Sequence, residues 1–357
     1  MTIWIVEIEP VESRYTAQWK KYIPDMVRRA TNQEVIEIEG PTDIPAATTP
    51  GAFLNFGGTN VYKSNQMEQM SRHFTEGRVK KGDHIVFTDA WNPGILQIRY
   101  MSDLLGISVK IHALWHAGSY DPQDFLGRLI TNKEWTYNTE RALFYAIDHN
   151  HFATDFHIKM FADEILPTVD AITLDNWQGN KIIRTGWPME YMRDVLTPYM
   201  GMKKENIVLF PHRIAPEKQV DIFRDLGKYI NGWEFIVCQD EQLTKDEYHE
   251  LLGKAKMVFS ANLQETLGIS CYEGALTGAI PLVPNRLSYV EMYSDRFKYP
   301  SEWTTSFNSY MKNRDVLSVH IVNMLNNYDS LVEETNNEAN LLEINFFNCN
   351  NFLDTLK

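Results

Sequence analysis

Short apolar runs alternate with amphipathic stretches along most of the chain. Residues 3–8, 35–38, 53–56, 84–87, 109–114 and 143–147 are compact apolar or β-branched runs of strand length. Between them, residues 17–29, 66–74 and 95–105 repeat apolar positions at helical spacing. The alternation resumes from residue 181, with 207–210, 257–260 and 279–283 as further strand-like runs. Strands alternating with helices predict parallel sheets. Two such halves in tandem predict an α/β protein of two Rossmann-like domains facing across a cleft. Gly186 and Pro188 punctuate a strand end and set the boundary, giving an N-terminal domain at 1–183 and a C-terminal domain at 184–334. The Asn- and Leu-rich tail, 316–357, reads as helices.

Composition narrows the class. At 357 residues and 44% hydrophobic, each half can bury its own core. No apolar run approaches the roughly 18 residues of a membrane span, so stable membrane insertion is not expected. The start, Met1-Thr2-Ile3-Trp4-Ile5-Val6-Glu7, lacks a basic leader and reads as a buried strand. Cys238, Cys271 and Cys349 are too few and too scattered for a disulfide framework or zinc site. The expectation is a cytoplasmic protein with reduced thiols. A net charge of −13 argues against nucleic-acid or membrane attachment by the whole surface, so any polyanion contact must be local.

Two segments carry candidate chemistry. In Gln264-Glu265-Thr266-Leu267-Gly268-Ile269-Ser270-Cys271-Tyr272-Glu273, two glutamates stand eight positions apart across a loop-to-helix junction between two short strands. Such a junction offers backbone N–H groups, here at Leu267 and Gly268 beside Thr266, to a phosphate. Glu265 can reach a sugar hydroxyl and Glu273 a ribose. A solvated glutamate on an amphipathic helix is the plainer reading of that spacing alone. Some fifty residues upstream, an apolar strand runs into Pro211-His212-Arg213-Ile214-Ala215-Pro216-Glu217-Lys218. A forked Arg213 and a point-charge Lys218 on one loop suit a pyrophosphate that gains charge as it leaves.

In order and spacing, the two segments resemble the E-x7-E and Arg/Lys motifs of retaining nucleotide-sugar glycosyltransferases of the GT-B type, family 4 above all. The resemblance implies a nucleotide-sugar partner. It makes Arg213, Lys218, Glu265 and His116 the catalytic set, and puts Glu273 on the ribose. His116, after the strand at 109–114, would face the donor sugar. It also implies a last helix, 335–357, crossing back onto the first domain, with Leu341, Leu342, Ile344, Phe346, Phe347 and Phe352 as its buried face. No cofactor and no metal are implied, since cations and helix dipoles take the leaving phosphate. His149, His151 and His157 with Asp148 and Asp155 are discounted as a metal group because they fall on different elements. Thr154 fits a helix N-cap.

One departure stands out. Family members carry a Gly-Gly loop after the first strand. Here Gly57-Gly58-Thr59 occurs later, after another strand, as a candidate cleft-facing substitute. The first loop instead interleaves Arg14, Tyr15, Trp19, Lys20 and Lys21, and Arg72, Arg78, Lys80 and Lys81 form a second basic patch. Cations with aromatics suit nucleic acid, a saccharide almost as well, and a solvated helix face equally. The chain is rich in Asn, Lys, Ile, Tyr and Met, as AT-rich phage genomes encode. With the resemblance, this names hydroxymethylated cytosine in phage DNA as a candidate acceptor, in the host cytoplasm. The alternatives are a cell-surface polysaccharide or lipid glycosyltransferase, and a non-catalytic GT-B protein binding sugar or nucleic acid.

Overall fold

The computed structural model describes residues 1–11, 14–44, 54–166 and 181–357. They divide into two compact units. The first is Met1–Pro188 with Cys349–Lys357, and the second is Met189–Asn348.

The first unit is built on a parallel sheet of β1 (Thr2–Val6), β2 (Glu34–Ile38), β3 (His84–Phe87), β4 (Lys110–Trp115), β5 (His149–Phe152) and β6 (Ile182–Arg184), in the order β2-β1-β3-β4-β5-β6. Its helices are α1 (Tyr15–Thr31), α2 (Phe56–Thr75), α3 (Gly94–Leu105), α4 (Phe125–Leu129), α5 (Lys133–Ala146) and α6 (Asp155–Ile165). The central strands β3 and β4 are buried on both faces, as parallel sheets require, although one face carries the buried His84 and His112. Thr154 caps α6, accepting from the His157 N–H at 3.2 Å.

Two expected strands are not strands. Residues 143–147 are apolar because Leu143 and Phe144 close the inner face of α5. The strand falls just after, at β5, whose His-Asn-His sequence shows no apolar run. Buried polar groups there are satisfied instead: the Trp115 Nε1–H donates to Asn150 Oδ1 at 2.9 Å. Of residues 53–56, residue 53 lies outside the described residues, and Phe56 opens α2. Asn55 caps that helix by accepting from the Gly58 N–H at 2.9 Å. A short apolar run cannot by itself distinguish a strand from a helix start.

Trp19 also departs from expectation. It is 1% exposed, on the inner face of α1. Its ring lies 5.2 Å from Tyr15, 5.2 Å from His116 and 5.1 Å from Trp187. A buried ring cannot stack on an incoming base, so Trp19 supports the loop rather than touching an acceptor. Trp19→Ala should cost about 3–5 kcal/mol of stability. The measurement is a lowered urea midpoint at unchanged m-value, and a midpoint equal to the parent's would refute the packing role.

The second unit has a parallel sheet of β7 (Ile207–Phe210), β8 (Glu234–Val237), β9 (Met257–Phe259), β10 (Ile280–Pro284) and β11 (Lys298–Tyr299), ordered β11-β10-β9-β7-β8. Its helices are α7 (Tyr191–Leu196), α8 (Val220–Tyr229), α9 (Lys245–Lys254), α10 (Ile269–Leu276), α11 (Tyr289–Met292), α12 (Phe307–Asn326) and α13 (Tyr328–Phe346). A final helix, α14 (Asn350–Asp354), belongs to the first unit.

The units divide between Pro188 and Met189, five residues beyond the boundary read from sequence. The tail divides later than expected. Residues up to 348 stay with the second unit, where the Phe347 ring stacks on Tyr272 at 3.9 Å and Arg193 of α7 pairs with Glu343. Only the last nine residues join the first unit. There Phe352 meets the edge of His151, and Asn351 donates to the Arg184 carbonyl at 3.0 Å. Leu342, Phe346, Phe347 and Phe352 are buried as expected. Leu341 and Ile344 are 54% and 69% exposed, on the opposite face of α13.

Among the described residues, no helix is long and apolar enough to cross a membrane.

Candidate functional site

In open α/β sheets, ligands bind outside the carboxyl ends of the strands where the strand order reverses. In the second unit that point lies between β7 and β9, since β8 flanks β7 on one side and β9 on the other. The loops leaving these two strands are the two segments singled out by sequence. Strand β7 leads into Arg213 and the 3-10 turn Pro216–Lys218. Strand β9 leads into Glu265 and α10.

Lys218 is 6% exposed. Its Nζ donates to the Gln264 carbonyl at 2.6 Å and sits 3.2 Å from Glu265 Oε2. The Asn262 Nδ2–H donates to the same carboxylate oxygen at 3.1 Å. Burial alone would push the Glu265 carboxyl up. The Lys218 charge, the Lys218 hydrogen bond and the Gly268 N–H outweigh it and hold it below its ordinary value. A depressed folded pKa means this group's stabilisation is full above the unfolded value and fades as pH falls through the folded one. The Gly268 N–H, expected to face a phosphate, is thus directed at Glu265. Gly268 has φ +75°, and a Cβ there would meet the Tyr289 ring at 2.7 Å, so the turn into α10 requires glycine. Thr266 and Leu267 lie buried in the same turn.

Arg213, half-buried, forms an ion pair with Glu217, whose side chain is fully buried. Glu273 is one turn into α10 and 4% exposed. It accepts from the Tyr248 hydroxyl at 2.8 Å and lies 3.8 Å from Lys245 Nζ. The structure therefore brings Lys218 and Glu265 into contact, sets Arg213 on the same short loop as Lys218, and gives Glu273 separate partners on α9.

Several supporting residues were not singled out by sequence. Arg286 donates to the carbonyls of Asn262 and Ala261, each at 2.7 Å, and the Gln219 side chain to those of Ala261 and Thr304 at 2.6 and 2.7 Å. These contacts fix the turn that presents Glu265. His212, beside Arg213, has Nδ1 3.2 Å from Ser270 Oγ on α10. Burial, then the Lys218 charge, pushes its pKa down to about 3, so the ring is neutral. Its adjacency to Arg213 was the available signal. Gln219 follows Lys218 and offered the same signal, whereas Arg286 is brought in from more than twenty residues away and leaves none.

In the first unit the order reverses between β1 and β3. The carboxyl ends of its strands gather Glu9, Thr59, Lys63, Asp89, His116 and Tyr15. Thr59 hydrogen-bonds Glu9, and Lys63 Nζ lies 2.8 Å from Asp89. His116 Nε2–H donates to the Thr88 carbonyl at 2.7 Å, and its Nδ1 is 2.6 Å from the Tyr15 hydroxyl. Burial lowers the His116 pKa, so the imidazole is neutral and both nitrogens are engaged. Arg14 lies 5.9 Å from the Tyr15 ring centroid. Gly57 and Gly58 form the first turn of α2 instead of following a strand. The Lys63–Asp89 pair spans 26 residues and was not legible in sequence.

Arg78, Lys80 and Lys81 are exposed, but they precede β3. The Lys80 N–H and the Thr2 N–H both donate to Asp83, at 2.9 Å each, which places the patch at the amino ends of β1 and β3. His116 and Tyr15 stand at the carboxyl ends. The patch cannot share an acceptor site with them.

No protein-family model matches the chain. Solved structures do resemble it. WaaG, a glycosyltransferase involved in lipopolysaccharide biosynthesis, aligns over 100% of both chains at 13% identity, TM-score 0.59. A sucrose-phosphate synthase from Thermosynechococcus elongatus covers 97% of this chain and 95% of its own at 11% identity, TM-score 0.62. The fold is GT-B. The pneumococcal O-GlcNAc transferase GtfA, solved with UDP and GlcNAc, matches 80% of this chain at 11% identity, TM-score 0.54. The chain spans 58% of that protein's length. The GT-B units found here thus have counterparts among proteins that share almost none of their residues.

Proposed function

We propose that the protein is a retaining glycosyltransferase that moves a sugar from a nucleotide-sugar donor to an acceptor hydroxyl. The observation that carries this reading is the contact of Lys218 with Glu265 at the switch point of the second sheet, with Arg213 on the same loop. Lys218 and Arg213 hold the donor pyrophosphate and take the charge that develops as it leaves. Glu265 binds donor-sugar hydroxyls and Glu273 the ribose. The anomeric carbon passes through an oxocarbenium-like state, and attack comes on the face from which the phosphate departs, which takes the acceptor's proton. The solved relatives add support: one was solved with UDP and GlcNAc, and another is named for lipopolysaccharide biosynthesis.

The acceptor reading shifts toward a saccharide. Hydroxymethylated DNA was read from cations and aromatics, but Trp19 is buried, Lys20 pairs with Glu39, and the Arg78 patch lies at the wrong end of the sheet. The test is to incubate the protein with a panel of nucleotide sugars and three acceptors: oligosaccharide, lipid-linked glycan and hydroxymethylcytosine DNA. A mass shift identifies donor and acceptor, and NMR of the new anomeric proton reports retention. Transfer with inversion would refute the mechanism. Labelling of DNA alone would restore the DNA acceptor. Absence of both transfer and donor hydrolysis across the panel would favour a non-catalytic binding protein.

Because two side-chain cations take the leaving charge, turnover should persist in excess EDTA. Loss on chelation, restored by one divalent ion, would place a metal in the chemistry.

A further inference from the structure

The first sheet carries a second polar cluster at its β1–β2 edge, apart from the β1–β3 switch point. Strand register creates it. Val6 of β1 pairs with Ile38 of β2, so Glu7 and Glu39 follow side by side. Glu37, two residues before Glu39, shares its face. One carboxylate oxygen from each of Glu7, Glu37 and Glu39 lies within 4.8 Å of the others. Like charges set side by side on one sheet face repel. Helix α1 answers with two cations. Lys20 Nζ lies 2.8 Å from Glu39 Oε2, and Arg28 pairs with Glu37 Oε1. Each cation holds one oxygen of its carboxylate and leaves the other.

Arg28 also pairs with Asp25, and among the described residues Glu7 forms no ion pair. Glu7 is 4% exposed, and neither of its oxygens has a hydrogen-bond partner. Burial, then the neighbouring Glu39 carboxylate, pushes its pKa up to about 8, so at neutral pH the carboxyl holds a proton that a bound cation would displace. One of its oxygens lies within 4.8 Å of a carboxylate oxygen of Glu37 and of one of Glu39.

We propose that Glu7, Glu37 and Glu39 bind a divalent cation of the hard, oxygen-liganded class, such as Ca²⁺ or Mn²⁺. The donor set is all carboxylate, with no nitrogen or sulfur to favour zinc or copper, and water completes the shell. The ion displaces the Glu7 proton and ties the end of β1 to the end of β2, ahead of Arg14 and the start of α1 at Tyr15. It belongs to the first unit, whereas Lys218 and Glu265 belong to the second, so its role is structural.

The test is calorimetric titration of CaCl₂ and of MnCl₂ into the full chain after chelation and dialysis. One saturable site is expected, with a Kd on the order of 10⁻⁴ M, as for weak all-oxygen sites. Glu7→Gln and Glu39→Gln should each weaken it at least about tenfold, on the scale of losing one charged ligand, and Glu68→Gln, on exposed α2, should not. Ca²⁺ should raise the Tm of the parent and leave that of Glu7→Gln unchanged. The absence of saturable binding in the parent would overturn the site, as would unchanged affinity in Glu7→Gln. Should that variant fail to fold, Glu39→Gln, at the half-exposed rim, decides alone. Neither readout depends on glycosyl transfer, so the result stands independently of the proposed function.

Discussion

Lys218→Ala should lower kcat by roughly two orders of magnitude or more, the scale of removing one preorganised electrostatic donor. Arg213→Ala should do the same. Read from sequence, both are loop cations whose loss the fold would ignore. The structure changes that expectation. Lys218→Ala removes the cation paired with the Glu265 carboxylate, and Arg213→Ala removes the cation paired with the fully buried Glu217. Breaking a buried pair by removing one partner costs about 3–5 kcal/mol. A lowered Tm should therefore accompany the lost turnover. The double variant Arg213→Ala/Glu217→Gln separates the effects, because it removes the Glu217 charge along with the guanidinium. It should regain stability and stay inactive. If turnover returns with stability, Arg213 has no part in the chemistry. Near-parental kcat in a folded Lys218→Ala would dismiss Lys218 likewise.

The second large effect divides the two glutamates. Glu273→Gln should weaken binding of the free nucleoside diphosphate and of the intact donor alike, because its proposed partner is the ribose common to both. Glu265→Gln should leave the nucleoside diphosphate bound and weaken only the intact donor, whose sugar it holds. A hydrogen bond to a charged group contributes about 1.5–3 kcal/mol, so each selective loss should be about 10- to 100-fold in Kd. Calorimetry with both ligands on both variants settles it. Parallel losses in all four titrations would mean that Glu265 acts only by holding Lys218 in place.

The donor loops were legible because their chemistry is local. Arg213 and Lys218 fall on one turn after a fully apolar strand, and Glu265 and Glu273 flank a glycine that must adopt a left-handed conformation. Strand order then brings the two loops together, and alternation of elements suffices to predict that. What escaped was whatever depended on long-range pairing. Strand β5 was missed because Asn150 is buried through a hydrogen bond from Trp115, thirty-five residues away. Trp19 read as a surface aromatic because the amphipathic pattern of α1 does not say which face meets His116. The Arg78 patch misled because sequence gives the charges of a loop but not the end of the sheet to which it belongs. Strand polarity supplies that once the strands are assigned, since residues just before a parallel strand lie opposite the ligand end.

The nine-residue tail joined to the first unit has a consequence for the order of assembly. The second unit is one continuous stretch, Met189–Asn348, carried as an insertion within the first. As the chain is synthesised, the inserted unit has all of its residues before Cys349–Lys357 emerge to dock beside β5 and β6. Domains generally fold as units during synthesis. The earlier-made half is thus completed last: β5 waits, with His151 uncovered, until Phe352 arrives from the far end of the chain to close over it.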